Sequence, residues 1–505
     1  MTPIEINGHD LTLDTIEEVL QDDMPIKLSD SALVQIKKSR EIIEKIIQSG
    51  NIVYGVNTGF GKFSDVKISE DNIDLLQENL VKSHAAGVGN PFSEEIVKTM
   101  LLLKANGLAK GYSGVRLEVI QTLIQMFNQS VVPIIPEKGS VGSSGDLAPL
   151  AHLALVIIGQ GEAWYDGQRI HGAEAMQRAG IPVLKLRSKE GLAILNGTQT
   201  MTSVACTNLI RAFNILECAD ILGAMSTEVL LCTRSAFDER IHRARNQEGQ
   251  IISAENLRTL LKDSPLVRSH ADCKKVQDAY SIRCMPQVHG ASRDAVHHAK
   301  LVVEREINAA TDNPLIFIEN GEVLSGGNFH GQPVSIVMDF LAIAMSEIGN
   351  ISERRTAWMM DANLSDGLPA FLAKDGGLNS GYMIAQYAAA ALVSENKSLC
   401  HPASVDSIPT SANKEDHVSM GTIGARKCLQ VIENVETILA IEWLCAAQAG
   451  DFRKPLEFAP RTKRAYELLR EHVPTLDKDR VTSHDIQIAT EILRKKNLVE
   501  EVWDR

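Results

Sequence analysis

Apolar residues recur at three- and four-residue steps over long parts of the chain, which is the period of a helix with one buried face. This pattern predicts a helix through positions 33–47 that ends at Gly50, and another that follows Asp146. Longer helical patterns occupy three further stretches: Val334–Met360, Gly381–Ser394 and Met420–Gln448. Helices of this length are typical of bundles, so the pattern predicts a mainly α fold built on a long-helix bundle.

Short strand-like segments joined by turn residues interrupt the helical pattern. Ile4–Ile6 and Leu11–Leu13 flank Asn7-Gly8 and predict a small hairpin. Two further hairpins are expected, one turning at Asp166-Gly167 and one at Asn320-Gly321. We therefore expect a smaller N-terminal portion that carries loops and short hairpins.

Composition and charge narrow the class of function. The 505 residues are 44% hydrophobic and 23% charged, and the net charge of -13 without a basic cluster argues against nucleic acid as a partner. No uncharged apolar run is long enough to span a membrane, and acidic residues between Met1 and Leu20 argue against a signal peptide. The eight cysteines form no C-x-x-C pair, which is typical of a reducing cytoplasm, and His297-His298 lacks the spacing of a metal site. We expect a cytoplasmic protein without a metal ion.

The stretch Gly139–Leu150 joins a run of small residues to the start of a helix. Ser143-Ser144-Gly145 lies on the tight loop, and Asp146 stands where an N-cap or first-turn residue belongs. A nucleophile elbow requires G-x-S-x-G, and this loop is one residue too short. A phosphate loop requires a lysine followed by serine or threonine, which is absent here. On turn chemistry alone, the stretch is a Ser/Gly turn before a capped helix.

The complete string resembles the loop of the aromatic amino acid ammonia-lyase and aminomutase family. The resemblance implies that Ser143, Ser144 and Gly145 cyclise without enzymatic help into a 4-methylidene-imidazol-5-one, with no external cofactor. Gly145 lacks a Cβ, so its nitrogen can reach the Ser143 carbonyl carbon at the least steric cost, and loss of water from Ser144 leaves the methylidene. The chain departs from the family at Ser143, where alanine is usual. We expect ring formation to survive, because only the backbone of Ser143 enters the ring.

Two further motifs in the first hundred residues match the same family. Tyr54 is followed by three glycines within Gly55–Gly61, a pattern that by itself indicates a surface loop. The resemblance implies that Tyr54 closes over the substrate and takes part in proton transfer. Ser83-His84 ends a helical pattern and matches the pair of histidine-acting members. An imidazole at His84 can exchange a hydrogen bond with a substrate imidazole, and such a contact discriminates against apolar rings.

Three motifs in the middle of the chain supply the expected substrate contacts. Asn196 lies in a Leu-Asn-Gly string that is ordinarily a turn, and the resemblance implies a contact with the electrophile and the substrate carboxylate. Gln277, Tyr280 and Arg283 recur at three-residue spacing, which predicts one helical face. The resemblance assigns the carboxylate clamp to Arg283 and places Tyr280 and Gln277 in the same site. Phe329 matches the family's ring-packing residue, a role compatible with a place in the core.

The stretch Ser411–Met420 is, on composition alone, a charged segment before a helix. By resemblance to histidine-acting members, Glu415 faces the amine and imidazole of the substrate. Lys414 replaces the usual glutamine, and we expect it to pair with Glu415 or with another acid. Tyr54 is our first candidate for the base and Glu415 the second.

The matching motifs extend from Tyr54 to Met420, and together they imply the function. We expect non-oxidative deamination of L-histidine to trans-urocanate and ammonia by a homotetramer with shared active sites. The expected domains are residues 1–200 with the electrophile loop, 201–450 with the central bundle and 451–505 as a C-terminal helical segment. Alternatives are a tyrosine or phenylalanine ammonia-lyase, an aromatic 2,3-aminomutase, or a non-catalytic relative that binds an amino acid.

Overall fold

The computed structural model describes residues 2–49, 52–59, 68–69, 72–272 and 275–504. Within these ranges it contains 20 α-helices and nine short strands, so the mainly α fold class is confirmed. The helices are α1 (Leu13–Gln21), α2 (Asp30–Ser49), α3 (Ile73–His84), α4 (Glu94–Ala109), α5 (Leu117–Asn128), α6 (Leu147–Ile157), α7 (Gly172–Arg178), α8 (Glu190–Leu195), α9 (Gln199–Val229), α10 (Glu239–Arg245), α11 (Glu248–Leu260), α12 (Pro265–Arg268), α13 (Tyr280–Arg283), α14 (Met285–Ile307), α15 (Gln332–Met360), α16 (Met383–Leu399), α17 (Gly421–Arg453), α18 (Pro460–His472), α19 (Thr482–Arg494) and α20 (Asn497–Trp503). The strands are β1 (Ile4–Ile6), β2 (Ile26–Leu28), β3 (Val88–Pro91), β4 (Val132–Pro133), β5 (Pro136–Lys138), β6 (Glu162–Tyr165), β7 (Gln168–His171), β8 (Leu315–Phe317) and β9 (Glu322–Leu324).

The strands form small separate sheets, and two of the three predicted hairpins are confirmed. β6 and β7 pair antiparallel across Asp166-Gly167, and β8 and β9 pair across Asn320-Gly321. The N-terminal hairpin is wrong, because β1 pairs in parallel with β2 instead. The expected second strand, Leu11–Leu13, instead leads into helix α1, which begins at Leu13. The Thr12 side chain caps this helix by accepting a hydrogen bond from the Thr15 amide at 3.1 Å.

The chain divides into two compact units. The first comprises Met1–Thr207, Lys300–Asp339 and Pro402–Arg426, and the second comprises Asn208–Ala299, Phe340–His401 and Lys427–Arg505. This partition follows packing and differs from the expected division of domains by chain order, which stays a prediction. Two later segments of the chain belong to the first unit and bring Phe329 and Glu415 into it.

The first unit places three of the predicted motifs beside one another. Helix α6 is apolar almost all round and packs against α3 and α8, which also pack against each other. His84 is the last residue of α3, the electrophile loop precedes α6, and Asn196 follows α8. Because the helix ends that carry these residues belong to one packed group, the motifs share one region of the unit.

Long helices of the second unit are joined by buried polar contacts, as expected for a bundle. The Arg355 side chain on α15 donates to Glu442 on α17 at 2.5 Å, and neither side chain is exposed. His289 on α14 lies 2.8 Å from Asp220 on α9, again with both side chains buried. Such groups are tolerated inside the fold because each charge meets an opposite or hydrogen-bonding partner.

One helix of the described chain, α15, is long and apolar enough to cross a membrane by length and composition alone. In its most apolar window, 67% of the residues are buried inside the fold, as in the core helix of a folded protein. The expectation that no segment spans a membrane stays a prediction.

Candidate active site

A cavity of about 1130 Å³ opens in the first unit. Its wall includes six of the residues selected from the sequence, which are Tyr54, His84, Ser144, Asn196, Phe329 and Glu415. These residues come from stretches far apart in the chain, so folding brings them to one place. The cavity is large enough for an amino acid with an aromatic side chain.

The electrophile loop is anchored through Asp146, the N-cap residue of α6. The Asp146 side chain makes no capping hydrogen bond and is fully buried. It accepts instead from Ser140 Oγ at 2.9 Å, from the Met201 amide at 2.8 Å and from the Thr422 hydroxyl. Burial raises the pKa of the Asp146 carboxyl, and these hydrogen bonds act against that rise. The carboxyl therefore ties the loop to two other segments of the unit.

Gly145 occupies a position that has no room for a side chain. Its φ is +73°, and it forms a parallel β-bridge with Gly197. A Cβ at this position would lie 2.0 Å from the Gly197 carbonyl oxygen. That same oxygen accepts a hydrogen bond from the Asp146 amide at 2.7 Å, so it cannot easily move away. Glycine is therefore required here by both backbone conformation and contact.

The atoms that ring formation would join have no competing hydrogen bonds. Neither the Gly145 amide nor the Ser143 carbonyl oxygen bonds another residue in the described part of the chain. The Ser143 side chain is buried, whereas Ser144 is half-buried at the cavity, with Oγ 3.3 Å from Glu415 Oε1. The arrangement of these three residues fits the methylidene-imidazolone that the sequence implies.

Glu415 is held by a tight turn in which Thr410 pairs with it. The Thr410 hydroxyl donates to Glu415 Oε2 at 2.8 Å, and the two backbones exchange hydrogen bonds. Three non-glycine residues between them, 411–413, have φ values of 52°, 52° and 64°, a left-handed conformation that is costly for such residues. Lys414 lines the cavity, is exposed and forms no ion pair with Glu415; the alternative, a pairing with another acid, stays a prediction. Thr410 is therefore the residue that holds the Glu415 carboxylate.

His84 presents a neutral imidazole to the cavity. Burial lowers its pKa, while the Leu80 carbonyl and the negative charge of Glu415 act in the opposite direction. Its Nδ1 lies 3.0 Å from the hydroxyl oxygen of Ser83. A neutral ring can both donate and accept, which a polar substrate ring requires.

Asn196 is fixed by its neighbours in one orientation. Its Nδ2 donates to the Asn313 carbonyl oxygen at 3.2 Å and to Asp312 Oδ1 at 3.4 Å. Its Oδ1 is buried and has no hydrogen-bond partner in the described part of the chain. The side chain thus offers an acceptor for which the described residues supply no donor.

Two buried lysines that the sequence analysis missed surround this asparagine. Lys189 forms an ion pair with Asp312 at 2.5 Å, and Lys104 donates to the Asn196 main-chain oxygen at 2.7 Å. The sequence did contain an indication of Lys104, because this lysine interrupts the apolar run 101–105. A charged residue in a buried part of a helix needs a specific partner, which marks it as a candidate for a functional role.

Tyr54 and Phe329 lie on loops of the cavity wall. In the Tyr54 loop, the Val53 amide donates to Asn57 Oδ1 at 2.9 Å and the Ser188 hydroxyl donates to the Val56 carbonyl at 2.6 Å. The last part of that motif, residues 60–61, lies outside the described residues. Phe329 is half-buried, which agrees with a packing role at the wall.

Gln277, Tyr280 and Arg283 belong to the second unit and are not among the residues that line this cavity. Helix α13 covers only Tyr280–Arg283, with Ala279 as its N-cap, so the prediction of one helical face is wrong for Gln277. Tyr280 is 72% exposed, and the Arg283 guanidinium stacks on its ring at 4.6 Å. In the described part of the chain Arg283 has no carboxylate partner, and its buried Nε is without a hydrogen-bond acceptor.

Within the described ranges no group of three or more His, Cys, Asp or Glu side chains is placed to hold a metal ion.

Comparison with known proteins connects this geometry to a family. The aromatic amino acid lyase family model matches residues 11–471. Histidine ammonia-lyase from Caldanaerobacter subterraneus subsp. tengcongensis is 54% identical over 500 residues, covering 99% of this chain and 98% of that protein. The crystal structure of histidine ammonia-lyase from Trypanosoma cruzi aligns with a TM-score of 0.92 and 43% identity, over 100% of this chain and 95% of that one. Tyrosine aminomutase from Streptomyces globisporus aligns with a TM-score of 0.94 and 38% identity, over 100% of this chain and 99% of that one. The chain therefore belongs to the aromatic amino acid lyase family.

Proposed function

We propose that this protein is an ammonia-lyase that converts L-histidine to trans-urocanate and ammonia. One observation carries the proposal: Ser144, in a loop whose geometry fits ring formation, faces Glu415 in a cavity that His84 also lines. The relatives at 54% and 43% identity that are named histidine ammonia-lyase support the choice of substrate.

The electrophile is proposed to be the 4-methylidene-imidazol-5-one formed from Ser143, Ser144 and Gly145. In its formation the Gly145 nitrogen bonds to the Ser143 carbonyl carbon. The first water leaves with the Ser143 carbonyl oxygen and the amide hydrogens of Ser144 and Gly145. The second water leaves with the Ser144 hydroxyl and its Cα hydrogen, which creates the methylidene. Once formed, the group supplies an electrophilic carbon that no unmodified side chain offers.

The side chains of the cavity have complementary tasks. Tyr54 is the first candidate to remove the β-proton of the substrate, and Glu415 is the second. His84 hydrogen-bonds the substrate imidazole and Phe329 packs against the ring. The resemblance implied a contact between Asn196 and the substrate carboxylate, but a carboxylate has no hydrogen to donate to the unpartnered Oδ1, and Nδ2 is already held. Oδ1 is suited instead to accept a hydrogen bond from the substrate amine.

Arg283, Tyr280 and Gln277 are proposed to serve the active site of another subunit in a homotetramer. The support is that Arg283 lacks a carboxylate in the described chain while Tyr280 is exposed to 72%. A guanidinium stacked on an aromatic ring is ready to bind a carboxylate with two parallel hydrogen bonds. The substrate carboxylate would supply the missing charge.

We also propose a cytoplasmic location. The seven cysteines in the described part of the chain are all free thiols, as is usual in a reducing compartment.

Product analysis tests the function directly. The purified protein is incubated separately with L-histidine, L-tyrosine and L-phenylalanine, and urocanate, coumarate, cinnamate and β-amino acids are measured. We expect urocanate from histidine as the main product, and none from Ser144→Ala. Coumarate or cinnamate as the main product would contradict the substrate, and a β-amino acid would identify an aminomutase.

A further inference from the structure

Lys104 is a buried lysine without an ion pair. Only the peptide between Asn196 and Gly197 separates its ammonium group from the electrophile loop. It is 1% exposed, and burial lowers its pKa to about 7. Its Nζ donates to the Asn196 main-chain oxygen at 2.7 Å and to Gln199 Oε1 at 3.1 Å. No carboxylate in the described residues lies within ion-pair distance of this nitrogen, whereas Lys189, the other buried lysine there, is paired with Asp312.

The peptide group that Lys104 holds also contacts the loop. The Asn196 carbonyl and the Gly197 amide belong to one peptide unit, and the Gly197 N–H points to the Ser144 carbonyl oxygen at 3.4 Å. The following carbonyl, that of Gly197, accepts from the Asp146 amide at 2.7 Å. In its protonated form, which a pKa of about 7 leaves partly populated at neutral pH, Lys104 places a positive charge at the oxygen of this peptide. That charge strengthens the donor character of the peptide N–H, because hydrogen bonds in a chain polarise one another. Lys104 is therefore connected to the Ser144 carbonyl through a single planar group.

The Ser144 carbonyl is the position where negative charge develops when Ser144 loses water. The hydrogen removed is on Cα, next to that carbonyl, so the electron pair left by the proton is shared with the carbonyl oxygen until the hydroxyl departs. A donor aimed at this oxygen before the step begins lowers the barrier. The Gly197 N–H is the donor in place.

We propose that Lys104 is a positioning residue for maturation of the electrophile, acting through the Asn196–Gly197 peptide on the carbonyl oxygen of Ser144. This proposal rests on the proposed function of Ser144. A lysine buried without a carboxylate costs stability, and an apolar side chain would fill the same space in the core of α4 at lower cost. We therefore attribute the presence of Lys104 to its polarisation of the Asn196–Gly197 peptide rather than to the stability of the fold.

The test is the rate at which newly made Lys104→Met loses its two waters, followed by intact mass in samples taken after a short induction. Asn106→Leu is the matched control, since Asn106 is buried in the same helix and its side chain also bonds distant segments of the chain. It accepts from the Gly8 amide at 2.9 Å and donates to the Ile307 carbonyl at 3.1 Å. We expect dehydration of Lys104→Met to be slower by about tenfold, the effect of one lost charge-assisted hydrogen bond. Asn106→Leu should lower the melting temperature but lose both waters at the wild-type rate.

The outcomes separate this proposal from the function on which it rests. If wild type keeps both waters, the electrophile assignment fails. If wild type and Lys104→Met lose water equally fast, or Asn106→Leu is slowed as much, the role of Lys104 is refuted. Lys104→Gln provides a second measurement if the methionine variant does not fold, because it retains an uncharged N–H donor. It should dehydrate more slowly than wild type, and a wild-type rate would refute the role of the charge.

Discussion

Replacing Gly145 by alanine introduces a methyl group where the electrophile loop touches the backbone after α8. The methyl carbon would lie 2.0 Å from the Gly197 oxygen and 2.4 Å from its carbonyl carbon. The strands of the bridge would have to separate by about 1 Å to reach the closest ordinary contact of about 3 Å, which breaks the hydrogen bond from the Asp146 amide. We estimate a cost of about 1–2 kcal/mol for the left-handed backbone and about 1–3 kcal/mol for the buried amide that loses its partner.

The sum, about 2–5 kcal/mol, is less than the usual stability of a folded domain. Gly145→Ala should therefore fold, but with the loop displaced from the position in which the ring can form. Gly167→Ala is the matched control because its φ of +69° is nearly the same and a Cβ there meets nothing within 4 Å. The control carries the backbone penalty without the collision.

Melting temperature, intact mass and urocanate formation are measured for both variants. We expect Gly145→Ala to keep its waters and lose nearly all turnover, and Gly167→Ala to lose both waters and retain wild-type turnover with a slightly lower melting temperature. The reasoning is refuted if Gly145→Ala matures and deaminates histidine normally, or if Gly167→Ala fails to mature.

The other predictions concern the carboxylate, the substrate ring and pH. Arg283→Lys should lower kcat/KM for histidine by about 10- to 100-fold, since lysine loses the stacked fork worth about 1.5–3 kcal/mol, and unchanged kinetics would remove Arg283 from the site. His84→Leu should depress histidine turnover and relax the rejection of phenylalanine by about one to two decades, and an unaltered preference would contradict the role of His84. Burial lowers the pKa of Lys104 to about 7, so the folded state binds fewer protons than the unfolded state between about pH 7 and 10.5 and stability rises across that window. The free energy of unfolding of wild type should therefore increase relative to that of Lys104→Met between pH 7 and 10, by up to about 4 kcal/mol, and the melting temperatures follow this change. A constant difference between the two proteins would show that Lys104 keeps an ordinary pKa.

Much of the fold was predictable from local patterns, whereas the candidate site residues were selected by resemblance to the family. Periodic apolar positions gave the long helices, and Asp166-Gly167 gave a hairpin turn, because these features depend on neighbouring residues. The parallel pairing of β1 with β2 was not predictable, since Thr12 as a helix cap competes with a strand in the same few residues.

Contacts between distant segments account for the rest of what the sequence did not reveal. Tyr54, His84, Asn196 and Glu415 were each selected from a short motif, and only folding shows that they line one cavity. Lys104 has no motif, and its significance depends on the Asn196 carbonyl 92 positions further along the chain.

The intact mass of the denatured wild-type protein tests the central claim most directly, namely that Ser143, Ser144 and Gly145 become the electrophile. We predict a mass lower than that of the 505-residue sequence by two waters, while Ser144→Ala, which has no hydroxyl to lose, cannot shed the second. A wild-type protein that forms urocanate from histidine while retaining the full mass of its sequence would contradict the account.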